Sequence, residues 1–400
     1  MKYLKKEHEW TATVLAFILI PLSGLAVDVY LPSFPSMVTD LGTSSANIKL
    51  TLTAFLISYG LSQLFIGSLI DSFGRYKISI YSLVVFTLSN VAIIFSDSIV
   101  VIILLRFLQG IAIGFIVTAK RAFFIDVYEG EKRKHYTSLI TIVWSSAPIL
   151  APFIGGYLQT FFGWRANFYL LALYGLIMLL LELRFSGETL RSPQPFNFRA
   201  IRSVYAQLWH AKDYTIGVLT LGLSYGMVLV FGMSMPFMIE HNFHLSPVVT
   251  GYAALCSGVA ILLGGLLSKR LINKPFFQKL STSVTLQLVI ALGMYFAAML
   301  HFNSVVSIML FVVLLHMLEG FTYNVYFTYC VTRFPAFAGT TGGVTSGGSY
   351  IVFSVVGYLL ASILSIHDQQ TLALSYLFFI VAIIAVLQPV KGLLKNISKA

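Results

Sequence analysis

The feature that most constrains this chain is a succession of long apolar runs separated by short polar connections. About 20 predominantly apolar residues, rising 1.5 Å each, form a helix that crosses a hydrocarbon core of about 30 Å. The chain is 58% apolar and only 10% charged, against about 25% charged in soluble domains. The sequence therefore predicts an all-α membrane protein with twelve transmembrane helices, over residues 12–35, 48–70, 78–96, 99–120, 136–160, 165–184, 213–238, 247–268, 280–299, 304–327, 340–364 and 371–390.

The basic residues lie almost entirely on one side of the predicted membrane. With the N-terminus placed inside, 21 of the 26 Lys and Arg residues fall in inner segments, and only Lys49 and Arg165 fall outside. This positive-inside asymmetry predicts that both termini are cytoplasmic. The net charge of +11 is then a matter of topology, with attraction to anionic lipid as a by-product. No nucleic-acid partner is expected.

Several other protein classes are disfavoured by the sequence. The apolar run that ends at Leu31 is too long for a signal peptide and lacks a small-residue cleavage site, so the first helix is expected to remain. Cys256 and Cys330 both lie in predicted spans, which predicts neither a disulfide framework nor a metal cluster. A membrane enzyme or receptor needs a nucleophile with a base, a metal site or a large soluble domain, and a nucleotide-driven pump needs a P-loop. None is found in the sequence, so we expect neither enzymatic activity nor a cofactor.

One connection is long and polar, and it divides the chain into two halves of six helices. It carries Arg191, Pro193, Pro195, Arg199 and Arg202. Segments of the two halves resemble each other at spacings near half the chain length: Gly67–Lys77 with Gly264–Lys274, and Gly156–Leu158 with Gly357–Leu359. Transporters are often built by such duplication. The sequence predicts an N-terminal bundle of residues 1–184, a cytoplasmic linker of residues 185–212 and a C-terminal bundle of residues 213–400.

A single carboxylate, Asp28, interrupts the first apolar run. An ionised Asp in a span costs at least ~2.5 kcal/mol, so such a residue normally faces a wet cavity or a proton or ion pathway. Alternatively, the helix is shorter, because Pro32 and Pro35 break it, and Asp28 lies at the headgroups. Counting residues places Asp28 and Arg106 at similar depth, about 10 Å from the outer boundary. Arg106 is therefore a candidate partner of Asp28. Alternatively, it has a structural role and bonds backbone carbonyls.

The tenth predicted helix carries a second set of polar side chains. His316, Glu319 and Tyr323 follow i, i+3, i+7 spacing and share one helical face. Glu319 is expected about 22 Å below the outer boundary. It could be a second proton station, a cation-binding group or part of an inner gate. The structural alternative is a Glu satisfied by His316 or by a neighbouring helix.

The loop after the second helix contains Gly67, Asp71, Gly74 and Arg75. Their spacing resembles the signature of the major facilitator superfamily, Gly-x-x-x-Asp-x-x-Gly-Arg, with Ser72 where the family usually has a basic residue. Gly67 permits close helix contact and Gly74 permits a tight turn. The alternative is an ordinary positive-inside loop, which the paired glycines disfavour. The resemblance implies that Asp71 lies at the N-terminus of helix 11 and that Arg75 pairs with Asp126, holding the halves together while the cavity faces outward.

Further segments resemble the twelve-helix drug:proton antiporters of that superfamily. Two of them are Arg106-Phe-Leu-Gln-Gly110 with Gly114 and the series Ala147-Pro148, Ala151-Pro152 and Gly155-Gly156. Two others, Asp28-x-Tyr30-Leu31-Pro32-x-x-Pro35 and Gly163-Trp164-Arg165, are similar to segments of the Bcr/CflA branch of bacterial drug-resistance transporters. Ala151 stands where Gly is usual. The resemblance implies two pseudo-symmetric six-helix bundles, alternating access, and proton-coupled export of a small organic compound by a monomer in the bacterial inner membrane.

The residues expected to carry this function form two groups. Proton or substrate binding is expected at Asp28, Tyr30, Arg106, His316, Glu319 and Tyr323, and the conformational motifs at Gly67, Asp71, Gly74, Arg75, Gly110, Asp126, Pro152, Gly155 and Gly156. Asp28 and Glu319 favour a cationic or zwitterionic cargo. The alternative function is a dedicated carrier, exporting or importing, of a single metabolite or siderophore-like natural product.

Overall fold

The computed structural model describes residues 2–190, 198–335, 338–392 and 394. Within these ranges all regular structure is helical, apart from an isolated bridge between Tyr3 and Glu188. The chain divides into two compact units, Met1–Phe198 and Arg199–Ala400, and this division falls within the stretch 185–212. Of the linker residues named above, Arg191, Pro193 and Pro195 lie outside the described residues.

The described helices follow one another with short connections. They are α1 (Glu9–Leu19), α2 (Leu22–Asp28), α3 (Phe34–Asp40), α4 (Ser45–Phe73), α5 (Arg75–Ile94), α6 (Ile99–Val127), α7 (Gly130–Phe162), α8 (Arg165–Phe185), α9 (Phe198–His210), α10 (Lys212–Phe237), α11 (Pro247–Arg270), α12 (Phe276–Met299), α13 (Val305–Thr332), α14 (Ala338–Ile363) and α15 (Gln369–Leu387). In the described part of the chain, 11 helical segments are long and apolar enough to span a membrane. The prediction of an all-α, multi-pass membrane protein is confirmed. The remaining predicted span, 136–160, lies within α7, which begins with a charged stretch.

The first span is one helical segment, Lys6–Asp40, with two interruptions. Pro21, which has no backbone N–H, lies at the first, and the second follows Asp28 directly at Val29 and Tyr30. The α-helix does break just before Pro32, but the helical segment does not end there, because a 3-10 turn over Leu31–Ser33 and then α3 continue it to Asp40. Pro35 lies in the first turn of α3, where a missing N–H costs nothing because that position has no helical partner.

The two units repeat one packing scheme. In the first, α4 packs on α6, α5 on α6 and α8, and α2 on α7; in the second, α11 packs on α13, α12 on α13 and α15, and α10 on α14. Both contain a close helix crossing at a glycine. A Cβ added to Gly110 would lie 2.3 Å from the carbonyl oxygen of Phe55, and one added to Gly320 would lie 2.3 Å from that of Ile261. Only glycine allows backbones to approach so closely.

The linker contains a helix that the sequence analysis does not predict. This helix, α9, is joined to α10 by the Thr215 hydroxyl, which donates to the carbonyls of Leu208 at 3.3 Å and Trp209 at 3.1 Å. Leu208 is buried while Trp209 is exposed. A short helix with a buried and an exposed side therefore precedes the first span of the second unit, and the Thr215 hydroxyl bonds its last turn.

Candidate functional site

Asp28 lies at the C-terminal end of α2, at the second interruption of the first span. The span continues for about 18 Å beyond it, by helical rise, before ending at Asp40. Asp28 is therefore inside the span and not at its edge. Its side chain is partly exposed, and no Lys, Arg or His among the described residues lies within ion-pair distance of it. The first unit thus holds a carboxylate at membrane depth without a cation partner.

Arg106 is fully buried and lies at the level of residues 26–30. Its guanidinium donates to the side chain of Gln109 at 2.9 Å and to the carbonyl of Ala26 at 3.0 Å. It also lies 4.4 Å from the ring centroids of both Tyr30 and Phe55. The matching depth is therefore found, but the suggested pairing with Asp28 is not. The two terminal nitrogens of the guanidinium bond an amide and a backbone carbonyl instead, as the structural alternative expects, while its Nε has no hydrogen-bond partner in the described part of the chain.

Tyr30 completes this arrangement from the other side of Asp28. It is fully buried, its hydroxyl lies 3.0 Å from the Thr51 hydroxyl, and its ring packs against Phe34 and Phe168. Arg106 and Tyr30 thus fix the backbone on both sides of Asp28. The carboxylate itself is left without a bonded partner in the described ranges.

Replacing Arg106 with Lys is expected to lower the free energy of unfolding. An ammonium group cannot bond Gln109 and Ala26 as a planar fork while stacking between the rings of Tyr30 and Phe55, and a lost hydrogen bond to a buried charge costs about 1.5–3 kcal/mol. The melting temperature of the purified protein in detergent measures this loss. The matched control is Arg184→Lys, at an exposed position. A melting temperature of Arg106→Lys equal to that of wild type would show that the guanidinium contacts are dispensable.

The motif loop between α4 and α5 turns at Gly74, whose φ of 95° favours glycine. Arg75 donates to Asp71 at 2.9 Å and to the carbonyl of Ala122 at 2.9 Å, and it also contacts the Asp126 carboxylate. The pairing of Arg75 with Asp126 that the resemblance implies is therefore present. The expectation for Gly67 is wrong. Gly67 is exposed, and within the described ranges nothing lies within 4 Å of an added Cβ, so the close helix contact is not found there.

The glycines and prolines of α7 form its contact with α2. A Cβ added to Gly155 would lie 1.6 Å from the carbonyl oxygen of Val29, and one added to Gly24 would lie 2.9 Å from the ring of Pro148. Pro152 and Gly156 are buried as well. Val29 directly follows Asp28. The antiporter-like segment therefore packs against the backbone next to the carboxylate.

Glu319 is the corresponding anomaly of the second unit. It is fully buried, and one carboxylate oxygen accepts a long hydrogen bond of 3.5 Å from Ser224. In the described part of the chain, its other oxygen has no hydrogen-bond partner. His316 does not satisfy it. The His316 ring bonds Ser257 at 2.6 Å and Tyr376 at 2.9 Å instead.

Tyr323 lies one turn beyond Glu319 and is partly exposed. Its ring packs at 5.8 Å from Tyr225 and at 5.7 Å from Phe327. The three polar residues of α13 therefore share one helix but bond to different neighbours. Glu319 alone among them keeps an unsatisfied oxygen.

Apart from the pairing of Arg75 with Asp126, sequence reasoning did not predict the ion pairs between residues distant in the sequence. Lys120 and Glu182 form a buried pair at 2.5 Å, and Asp213 accepts from Arg333 at 2.8 Å and from Tyr329. The hydrogen bond to Asp213 raises the pKa of Arg333 above its ordinary value. The partners are far apart in the sequence, so no spacing signal connects them.

Gly163-Trp164-Arg165 proves to be a structural element at one end of the first unit. Trp164 donates its indole N–H to Asp40 at 2.9 Å. Arg165 bonds Asp97 at 2.6 Å and the carbonyl of Ile94 at 3.1 Å. This segment therefore ties the start of α8 to the ends of α3 and α5.

Comparison with known proteins finds a matching family, related bacterial proteins and solved structures of similar fold. Residues 16–357 match the family described as Major Facilitator Superfamily. The chain is 29% identical to the bicyclomycin resistance protein homolog of Haemophilus influenzae, over 64% of this chain and 65% of that protein. It is 29% identical to multidrug resistance protein D of Escherichia coli, over 41% of each chain. These matches span less than two thirds of either relative.

Among solved structures, the fold is similar to that of the xylose transporter XylE from E. coli in a partially occluded inward-open conformation. The TM-score is 0.70 at 13% identity, covering 96% of this chain and 98% of the other. At this identity the likeness concerns the fold alone.

Proposed function

The chain belongs to the Major Facilitator Superfamily, a family of membrane transporters of small molecules, and from this premise we propose that it exports small organic compounds by proton antiport. Asp28 is the principal proton- or substrate-binding carboxylate. The cargo is amphipathic and cationic or zwitterionic. The names of the two bacterial relatives, which refer to bicyclomycin and to multidrug resistance, support a drug-like cargo.

The observation that carries this proposal is the environment of Asp28. An ionised carboxylate at membrane depth without a cation partner is unfavourable, and either a proton or a bound cation relieves that cost. Proton and cationic substrate therefore compete for one group. Such competition couples export of the substrate to entry of the proton, because the carboxylate cannot hold both.

The conformational cycle is proposed to use the motif loop. Arg75 and Asp126 are already paired in the first unit, and we propose that Asp71 acts at the N-terminus of the eleventh span, α14. We place the protein in the bacterial inner membrane as a monomer with both termini in the cytoplasm. The excess of basic residues in the inner segments supports this orientation.

Ethidium accumulation in everted membrane vesicles tests the proposal. In vesicles with an acidic lumen, the protein should accumulate ethidium, and nigericin with K⁺, which removes the pH gradient, should abolish the accumulation. Vesicles without the protein provide the background. Accumulation that continues at the full rate after the pH gradient is removed would contradict proton antiport. Failure to move ethidium at all would contradict a cationic amphipathic cargo.

Glu319→Gln determines which carboxylate drives transport. Because Glu319 has one long bond and is fully buried, Gln can replace it without stranding a partner charge. We expect Glu319→Gln to retain pH-gradient-driven ethidium accumulation within about threefold of wild type, which corresponds to less than 1 kcal/mol. Complete loss in a protein that still melts normally would make Glu319 the main proton carrier in place of Asp28.

A further inference from the structure

The first residues of the linker lie against the motif loop of the first unit and pair with residues near the N-terminus. We call these two stretches together, Lys2–Leu4 and Ser186–Leu190, the strap. The Glu188 N–H donates to the Lys2 carbonyl at 2.7 Å, and the Leu4 N–H donates to the Glu188 carbonyl at 3.2 Å. Two short stretches from opposite ends of the unit thus hold each other by backbone hydrogen bonds.

The Glu188 side chain caps the start of α5. Its two oxygens accept from the N–H groups of Arg75 and Tyr76, each at 3.2 Å. One of these oxygens also accepts from the N–H groups of Thr189 and Leu190, each at 3.0 Å. The first N–H groups of a helix lack partners within it and favour a negative charge. Glu188 is 3% exposed, so these contacts are shielded from solvent.

Thr189, the next residue, holds the acid of the motif pair. Its hydroxyl donates to Asp126 Oδ2 at 2.8 Å, and the same oxygen contacts the Arg75 guanidinium. Glu188 therefore holds the backbone of Arg75, and Thr189 holds the Asp126 carboxylate that the Arg75 side chain contacts. Two consecutive residues hold both members of one ion pair.

We propose that Glu188 and Thr189 are positioning residues for the Arg75–Asp126 pair, through which the start of the linker sets the rate of the conformational cycle. Neither residue lies near Asp28 in the sequence or bonds the groups around it. Their loss slows the cycle without changing substrate affinity. The transport readout rests on the proposed function, whereas the contact itself does not.

A double-mutant cycle with Arg75→Ala tests the positioning role. Thr189→Val keeps the shape of the side chain and removes the hydroxyl, and Thr189→Ser keeps the hydroxyl as the matched control. In pH-gradient-driven ethidium transport, Thr189→Val should lower the maximal rate about fivefold with KM unchanged. Thr189→Ser should restore the rate, and Thr189→Val should have no further effect in the Arg75→Ala background. Equal losses in both backgrounds, or a change in KM alone, would overturn the proposal.

Hydrogen exchange separates this inference from the proposed function. The amides of Arg75 and Tyr76 should exchange faster in Glu188→Ala than in Glu188→Gln, and slowest in wild type. Unchanged exchange in Glu188→Ala would overturn the strap whatever is transported. If wild type shows the expected protection but moves no ethidium, the proposed function fails while the strap contact stands.

Discussion

Replacing Asp28 with Asn is expected to reduce pH-gradient-driven ethidium accumulation to the level of vesicles that lack the protein. Asn has nearly the same shape as a protonated Asp but cannot release a proton or carry a negative charge. The variant should therefore still exchange ethidium down its own gradient while losing the coupling to protons. It should also fold normally, because Asp28 forms no ion pair with the described residues that the substitution would break.

The matched control for this variant is Asp97→Asn. The Asp97 side chain is 86% exposed and pairs with Arg165 at the surface, a type of contact worth about 0–1 kcal/mol. Asp97→Asn should accumulate ethidium as wild type does. If Asp28→Asn retained uphill accumulation at the wild-type rate and steepness, Asp28 would not be the coupling carboxylate.

Gly155→Ala is expected to damage folding more than any other single-methyl addition described above. Its new Cβ would lie 1.6 Å from the carbonyl oxygen of Val29, less than half of an ordinary contact, and that oxygen belongs to the backbone and cannot rotate away. Overpacking commonly costs about 1–3 kcal/mol, and a backbone clash belongs at or above the top of that range. We expect a lower melting temperature, a smaller monodisperse fraction in detergent and loss of transport.

Gly67→Ala makes the same chemical change where the structure leaves room. Among the residues that the structure describes, nothing lies within 4 Å of its added Cβ, and Ala is favoured over Gly inside a helix by about 0.5–1 kcal/mol. Its melting temperature should equal or slightly exceed that of wild type. A melting temperature of Gly155→Ala equal to that of wild type would refute the close contact between α7 and α2. Equal damage by Gly67→Ala would show that the two glycines occupy similar surroundings.

The spans were predictable because membrane thickness imposes a length on every apolar run, and eleven of the segments are recovered on that criterion alone. The resemblance to the family signature likewise implied the contact between Arg75 and Asp126, which is present. Residue counting gives the depth of a side chain but not the direction in which it points. For that reason the count placed Arg106 level with Asp28 and could not show that its guanidinium contacts Ala26, Gln109 and two aromatic rings and not Asp28.

The remaining differences have equally specific causes. A glycine in a motif can serve either a close contact or an open face, and the sequence does not distinguish Gly67 from Gly110. Glu188 caps a helix that begins more than 100 residues earlier in the chain. It bonds backbone N–H groups, and because almost every residue type has one, the sequence does not indicate which residues are capped. Long-range contacts to the backbone are therefore the part of this site that only the structure supplies.

Proton movement driven by substrate is the most direct test of the central claim that Asp28 couples export to protons. Purified protein is reconstituted in liposomes that contain a pH-sensitive dye and carry no initial pH gradient, and ethidium is added outside. Wild type should alkalinise the lumen as ethidium enters, because each entering cation displaces a proton outward, and Asp28→Asn should admit ethidium without a pH change. Ethidium entry through wild type at constant luminal pH, or alkalinisation that persists in Asp28→Asn, would contradict the account.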